Sequence, residues 1–267
     1  MTGLEELARQ ALAFAHEAGA LLMGGRDGMR DVATKSTPTD VVTDMDRASE
    51  RLLVERICAS WPHDAVLGEE GSERTGSTNR RWVIDPLDGT VNYLYGLPGW
   101  SVSVGVEVNG TAAAGAVVAP VLGEAYLAWR AGGAWRVREG RESRMHASAA
   151  TRLDQALLGT GFSYDAVERR RQGAVVAAVL PIVRDIRRAG SAAIDLCAVA
   201  NGALDCYAES GLHPWDLCAG GLIAQEAGAI VSGLHGRPAG QDYVVAAAPG
   251  LHTALVRMLD ALVPSDA

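Results

Sequence analysis

Cysteine is scarce and scattered: Cys58, Cys197, Cys206 and Cys218 are the only four in 267 residues, and no two stand in C-x-x-C spacing. That pattern argues against a cysteine zinc site and a disulfide framework, and the apolar or helical text around each thiol fits reduced, buried side chains in a cytosolic chain. Histidine is as sparse, six in all with no H-E-x-x-H pairing, which removes the other common zinc donor set. Basic residues form no block longer than Arg169, Arg170 and Arg171, and the net charge is -8. The electrostatic footprint of a nucleic-acid binder is therefore missing, and the short basic run reads as a solvated helix face. No apolar run approaches the roughly 20 residues of a membrane span. The opening LEELARQALAFAHEAGALLM sets acidic residues and a histidine among its apolar ones, without the basic start and cleavage site of a signal peptide. The expectation is a cytoplasmic protein with neither a nucleic-acid nor a membrane partner.

With 48% apolar and 21% charged residues the chain has an ordinary globular composition. Its length sits where single cores stop growing, so two packed halves are expected, 1–145 and 146–267, with the polar stretch Arg138 to Arg152 as the boundary. Leu4, Leu7, Ala8, Ala11, Ala15, Ala18 and Leu22 recur at three and four residues and predict a first helix. A second begins after Thr43, whose hydroxyl can cap it with Asp46 three residues on; Met45, Ala48, Ser49, Leu52, Leu53 and Ile57 continue its stripe to Trp61 and Pro62. The period then changes. SVSVGVEV alternates strictly, Asn109-Gly110 is a two-residue hairpin turn, TAAAGAVVAP returns, and EAYLAW with AWRV predicts the next hairpin. The first half is thus α+β, helices on an antiparallel sheet. In the second, ALLGTGF, LDCYAE, AIVSG and YVVAAAP read as strands. VVAAVLPIVRDIRR, SAAIDLCAVANG, PWDLCAGGLIAQEAG and LHTALVRMLDALV read as helices, an α/β pattern.

The segment WVIDPLDGT, Trp82 to Thr90, places two carboxylates three residues apart. Ionised and about 4 Å apart they would repel by roughly 4 kcal/mol at an effective dielectric near 20, so a proton or a cation has to settle them. Trp82 to Ile84 read as a buried strand whose end carries Asp85. Pro86 has no N–H and stops the ladder, which turns Asp88 back toward Asp85. The Leu87 carbonyl is a third oxygen donor, and the amides of Gly89 and Thr90 can seat an anion. Two readings fit this turn: aspartates capping backbone amides, or a cation site. Gly68-Glu69-Glu70, after the apolar AVL, adds acid at another strand end, and Asp216 in HPWDLCAGG lies just inside a helix that Pro214 can start. Oxygen donors of this kind suit Mg²⁺ or Mn²⁺, and carboxylates clustered around two ions clamp the oxygens of a phosphoryl displacement. Asp40 and Asp44 read as turn and cap residues, His213 beside Trp215 as a packed residue, and GTGF at Gly159 to Phe162 as a tight turn lining the pocket.

Taken together, KSTPTDVVTDMD (35–46), LGEEGS (67–72), WVIDPLDGTVNYLYGLP (82–98), RRAGSAAIDLCAVANGALDCYAE (187–209) and HPWDLCAGGLIAQEAG (213–228) resemble the inositol monophosphatase family of magnesium-dependent, lithium-sensitive phosphatases. The resemblance implies a layered αβαβα sandwich of the sugar phosphatase type. It implies hydrolysis of a small-molecule phosphate ester, myo-inositol monophosphate before histidinol phosphate, fructose bisphosphate or phosphoadenosine phosphate. Two or three Mg²⁺ ions, replaceable by Mn²⁺ and opposed by Li⁺, would be held by Glu69, Asp85, Asp88, Asp216 and the Leu87 carbonyl, with Glu70 outside the set. Thr90, with Glu69 or with Asp46, would activate a water. Asp88, Gly89 and Thr90 would meet the phosphate, Gly190, Ser191, Ala192 and Glu209 the polyol, and Lys35 would mark a loop near a third, weaker ion. A homodimer is the family's common state. Tyr93, where the family often has phenylalanine, and Pro214 directly before Trp215 are the departures; neither removes an oxygen donor. A scaffold or regulatory binding protein on the same fold is the rival from another class.

Overall fold

In the computed structural model, which describes residues 3–25, 32–34 and 41–265, the apolar stripe of the N-terminus becomes one long helix whose buried face runs from Leu7 through Ala11, Ala15 and Ala18 to Leu22. In chain order the first half holds α1 (Gly3–Gly25), β1 (Val32–Thr34), β2 (Val41–Thr43), α2 (Asp44–Ser60), β3 (Ala65–Gly68), β4 (Glu73–Arg74) and β5 (Arg80–Asp88). It continues with α3 (Thr90–Leu94), β6 (Ser101–Val108), β7 (Thr111–Ala119), β8 (Glu124–Trp129), β9 (Gly133–Arg138) and β10 (Arg141–Arg144). The second half holds β11 (Leu157–Gly159), α4 (Ala166–Val179), β12 (Asp185–Arg187), α5 (Ala192–Ala200), β13 (Cys206–Glu209), α6 (Pro214–Glu226), β14 (Ile230–Ser232), β15 (Val244–Ala247) and α7 (Pro249–Leu262).

Besides the short β1–β2 pair there are two sheets. One has eight strands in the order β10-β9-β8-β7-β6-β5-β3-β4, antiparallel except where β3 runs parallel to β5. The other has five in the order β12-β11-β13-β15-β14, with β11 parallel to both neighbours and β15 antiparallel to both of its own. Helices α1 and α2 cover one face of the large sheet, α5 and α6 lie between the sheets, and α4 and α7 close the far side. These five layers are the αβαβα sandwich. The period of two shows in β15: Val244 and Ala246 pack toward α5 and α6, whereas Val245 and Ala247 pack toward α7.

One expectation needs correcting. The helix read in VVAAVLPIVRDIRR starts earlier, at Ala166, where the Asp165 carboxylate caps the amides of Val167 and Glu168, and it ends at Leu180 before Pro181, whose ring cannot continue it. The remaining Asp185–Arg187 is a strand that pairs with β11. The strictly alternating SVSVGVEV forms β6, and both of its faces are covered. Val102, Val104 and Val106 meet α1, but Ser101, Ser103 and Gly105 are buried too, because α5 and α6 cover the other face. A methyl on Gly105 would overlap Cys218 of α6. In the polar stretch Arg138 to Arg152, β10 extends the large sheet by one strand before the chain crosses over.

The predicted turn at Asn109 and Gly110 forms with φ of 55° and 73°, the left-handed pair that a two-residue hairpin requires. All four cysteines are free thiols, three of them buried. Among the described residues no helix is long and apolar enough to cross a membrane.

Candidate active site

The large sheet delivers Asp85 and Asp88 through a bulge at the end of β5. In β5, Asp85 pairs with Ser103 and Asp88 with Ser101, so three steps on one strand oppose two on the other and the ladder is broken across Pro86 and Leu87. This bulge replaces the expected stop at Pro86: lacking an N–H, the proline can sit only where the pairing fails, and beyond it the strand resumes. Two bonds hold the bulge. The Leu87 amide donates to Asp85 Oδ1 at 3.0 Å, and the Ser49 hydroxyl of α2 donates to the Pro86 carbonyl at 2.8 Å.

Carboxylate oxygens of Asp85, Asp88 and Asp216 lie within 4.8 Å of one another. Asp216 arrives from the first turn of α6, started by Pro214, where its Oδ2 accepts the His213 amide at 2.6 Å. Asp88 Oδ2 accepts the Ser191 hydroxyl at 2.6 Å and the Ala193 amide at 2.8 Å, so the first turn of α5 holds it. Asp85 and Asp88 thus accept backbone amides, as the capping reading expects, and also converge with Asp216 in a cluster that could hold a cation.

Charge is the problem this convergence creates. At about 4.8 Å each ionised pair repels by roughly 3.5 kcal/mol at an effective dielectric near 20. Burial, then the charges of Glu69, Asp88 and Asp216, push the Asp85 carboxyl well above the usual range. Burial with the charges of Asp88 and Glu69 does the same to Asp216. Burial also lifts Asp88, to about 6, against the bonds from Ser191 and Ala193. Carboxyls that resist ionising beside one another, with a carbonyl oxygen in the same wall and no nitrogen or sulfur donor among them, form a hard oxygen set that fits Mg²⁺ or Mn²⁺.

A cavity of about 370 Å³ opens over the three aspartates, and Glu69, Leu87, Gly89, Thr90, Gly190, Ser191, Ala192 and Glu209 line it with them. Of the residues expected in the site, Asp46 is placed behind this wall. It is buried, Thr90 Oγ1 donates to its Oδ1 at 2.9 Å, and its Oδ2 accepts the Thr43 amide at 2.8 Å. Burial pushes the Asp46 carboxyl up, opposed by the bonds from Thr43 and Thr90. Glu69 lines the cavity next to the three aspartates, against the Asp85 side chain, and its charge acts on all three. Glu70 is not part of the lining; its amide donates to Glu50 Oε2 at 2.8 Å. Gly89 has φ of 93°, and a β-carbon there would come within 2.8 Å of the Gly99 carbonyl oxygen and 3.1 Å of that of Gly190. His213 stacks on Trp215 at 4.8 Å between ring centres, both at the cavity wall. Asp44 stands exposed at the start of α2, which Thr43 caps. Lys35 and Asp40 lie outside the described residues.

Sequence reading missed two groups. By spacing Ser49 continues an apolar stripe, but Asp46, Ser49 and Glu50 form a buried polar face of α2, in line with Leu53 and Ile57. Glu50, 3% exposed, accepts the amides of Glu70 at 2.8 Å and Ser72 at 3.0 Å, which fixes the turn carrying Glu69. The signal was there: polar residues at helical spacing that prolong an apolar stripe. The second group is Asp195 and Arg188, both on the cavity wall. The resemblance implies that their segment faces the substrate, yet nothing local marks either side chain.

The Inositol monophosphatase family matches residues 3–263 of the chain. The inositol-1-monophosphatase of Mycobacterium leprae (strain TN) is 46% identical over 265 residues, 96% of this chain and 91% of that protein. The solved structure of Mycobacterium tuberculosis SuhB is similar with a TM-score of 0.85 and 40% identity, covering 98% of both chains. The Nus factor SuhB of Pasteurella multocida (strain Pm70) is 38% identical over 248 residues, 90% of each chain. The chain belongs to the inositol monophosphatase family.

Proposed function

We propose that the chain hydrolyses a phosphate monoester, with myo-inositol monophosphate as substrate, in a magnesium-dependent reaction. The observation that carries this reading is the convergence of Asp85, Asp88 and Asp216 on one cavity that Glu209 and the first turn of α5 also line. Its volume of about 370 Å³ suits a sugar-sized ester. Glu69, Asp85, Asp88, Asp216 and the Leu87 carbonyl would hold the metal, with Lys35 beside a third ion. Mg²⁺ bound there supplies a positive charge for the phosphoryl oxygens and lowers the pKa of a water. The protein's own groups do the rest. Thr90 donates its proton to Asp46 or to the Leu87 carbonyl, at 2.9 and 3.1 Å, which leaves its lone pairs free to accept from a water in the cavity. Asp46 can then take the proton that Thr90 passes on, while Glu69 offers a second acceptor on the same wall. The amides of Gly89 and Thr90 seat the phosphate, and Gly190, Ser191, Ala192 and Glu209 orient the alcohol.

In this reading the chain divides at residue 145. The part bearing the eight-stranded sheet supplies most oxygen donors, and the part bearing the five-stranded sheet supplies Asp216 and the alcohol-side residues. A second reading, as a binding or regulatory protein, draws on the relative named Nus factor SuhB. The complete oxygen donor set favours catalysis. Phosphate release from myo-inositol monophosphate, histidinol phosphate, fructose bisphosphate and phosphoadenosine phosphate, with magnesium and with chelator, tests both. Magnesium-dependent preference for the inositol ester is the expected result; preference for another ester revises the alcohol side, and silence on all four supports the second reading.

A further inference from the structure

On the alcohol side of the cavity stands a buried carboxyl with no role so far. Asp195, in α5, is 3% exposed and lines the cavity together with Asp88, Ser191 and Glu209. Its amide donates to the Ser191 carbonyl within the helix, but among the described residues no hydrogen bond or ion pair reaches its carboxyl. Glu209, by contrast, accepts from the Tyr207 hydroxyl. A place near the start of a helix favours an acid by only about 0.3–1 kcal/mol at the surface. Burying a carboxyl without a partner costs several kcal/mol. The helix end therefore does not explain Asp195, and a partner that enters from the cavity does.

The end of β11 is stripped of side chains in front of both acids. A β-carbon on Gly159 would stand 3.6 Å from Asp195 Cγ and 2.7 Å from Leu204 Cδ1, and one on Gly161 would overlap the Glu209 carboxylate. Arg188, exposed at the cavity wall, is the cation facing them. We infer that Asp195 is a specificity-determining residue that hydrogen-bonds a hydroxyl of a polyhydroxylated leaving group, beside the hydroxyl met by Glu209. The inference rests on the phosphatase reading and deepens it. Burial, then the charges of Glu209 and Asp88, push Asp195 up to about 8, and burial lifts Glu209 to about 7. A carboxyl accepts from a hydroxyl and, when protonated, donates to one.

The test compares Asp195→Asn and Asp195→Ala with the wild-type chain on myo-inositol monophosphate and on phenyl phosphate, which has no hydroxyl in its leaving group, in saturating magnesium. Asp195→Ala should raise KM for the inositol ester about tenfold with kcat within about threefold, Asp195→Asn should recover part of that loss, and phenyl phosphate turnover should stay unchanged. An unchanged KM for the inositol ester, or an equal loss on both esters, overturns the inference and leaves the phosphatase reading standing. So does a wild-type chain that hydrolyses phenyl phosphate as well as any polyol ester. A wild-type chain silent on both substrates overturns the inference, and one silent on the other three esters as well overturns the phosphatase reading with it. Asp195→Asn keeps the side-chain volume, and thermal melting of both variants separates a folding defect from a binding one.

Discussion

Asp88 carries the most obligations of any single residue in the site. It is one of three converging acids, its second oxygen is bonded to Ser191 and Ala193, and its ionisation is opposed by its neighbours. Asp88→Asn retains an oxygen that can accept those two bonds but removes the charge a cation needs. The expected outcome is a loss of kcat on the order of 10³ or more in magnesium. Because the substitution also relieves repulsion among buried carboxyls, the metal-free variant should melt no lower than the wild-type chain. Phosphate release and calorimetry on one preparation check both statements; substantial turnover in a folded variant removes Asp88 from the metal set.

At the scale of the element, the site is carried by α2 as much as by β5. Three groups on one face of this helix each fix another segment: Asp46 holds Thr90, Ser49 holds the bulge at Pro86, and Glu50 holds the turn at Glu70 and Ser72. Glu50→Ala leaves two amides unpaired and opens a void beside Gly68. It should lower unfolding free energy by roughly 3 kcal/mol in urea and raise the magnesium concentration needed for half-maximal activity, since Glu69 rides on that turn. The two effects should appear together in denaturant and metal titrations; normal metal dependence in a destabilised variant would separate Glu69 from the site.

For the whole molecule, the buried acids link stability to pH. A carboxyl whose folded pKa is raised binds more protons folded than unfolded, so it contributes stability that is present below the unfolded value and lost as pH rises through the folded one. Asp88 at about 6, Glu209 at about 7 and Asp195 at about 8 place the loss between roughly pH 4 and 8, with Asp85 and Asp216 shifted the same way. The metal-free chain should therefore melt higher at pH 5.5 than at pH 8. Added magnesium should raise the melting temperature more at pH 8, where the ionised carboxylates bind it. Melting curves at both pH values with and without magnesium check this, and a melting temperature rising with pH in chelator would contradict it.

Local pattern was enough for α1, α2 and the Asn109-Gly110 hairpin, because helical and strand periods and turn chemistry act over a few residues. It was also enough to mark Asp85, Asp88 and Asp216, since short acidic segments at strand and helix ends keep their meaning wherever the chain goes. The joint order of five such segments identified the family. Tertiary structure alone decided the rest. Whether Ser101 and Ser103 face water or α5 and α6 depends on a layer formed by residues about 90 to 115 positions later. Asp185–Arg187 is a strand only because β11 lies beside it. Asp195 is a lone acid in an apolar helix until α5 is wedged between two sheets and turns it, without a partner, toward the cavity. Burial and convergence are relations between distant segments, and no short window of sequence contains them.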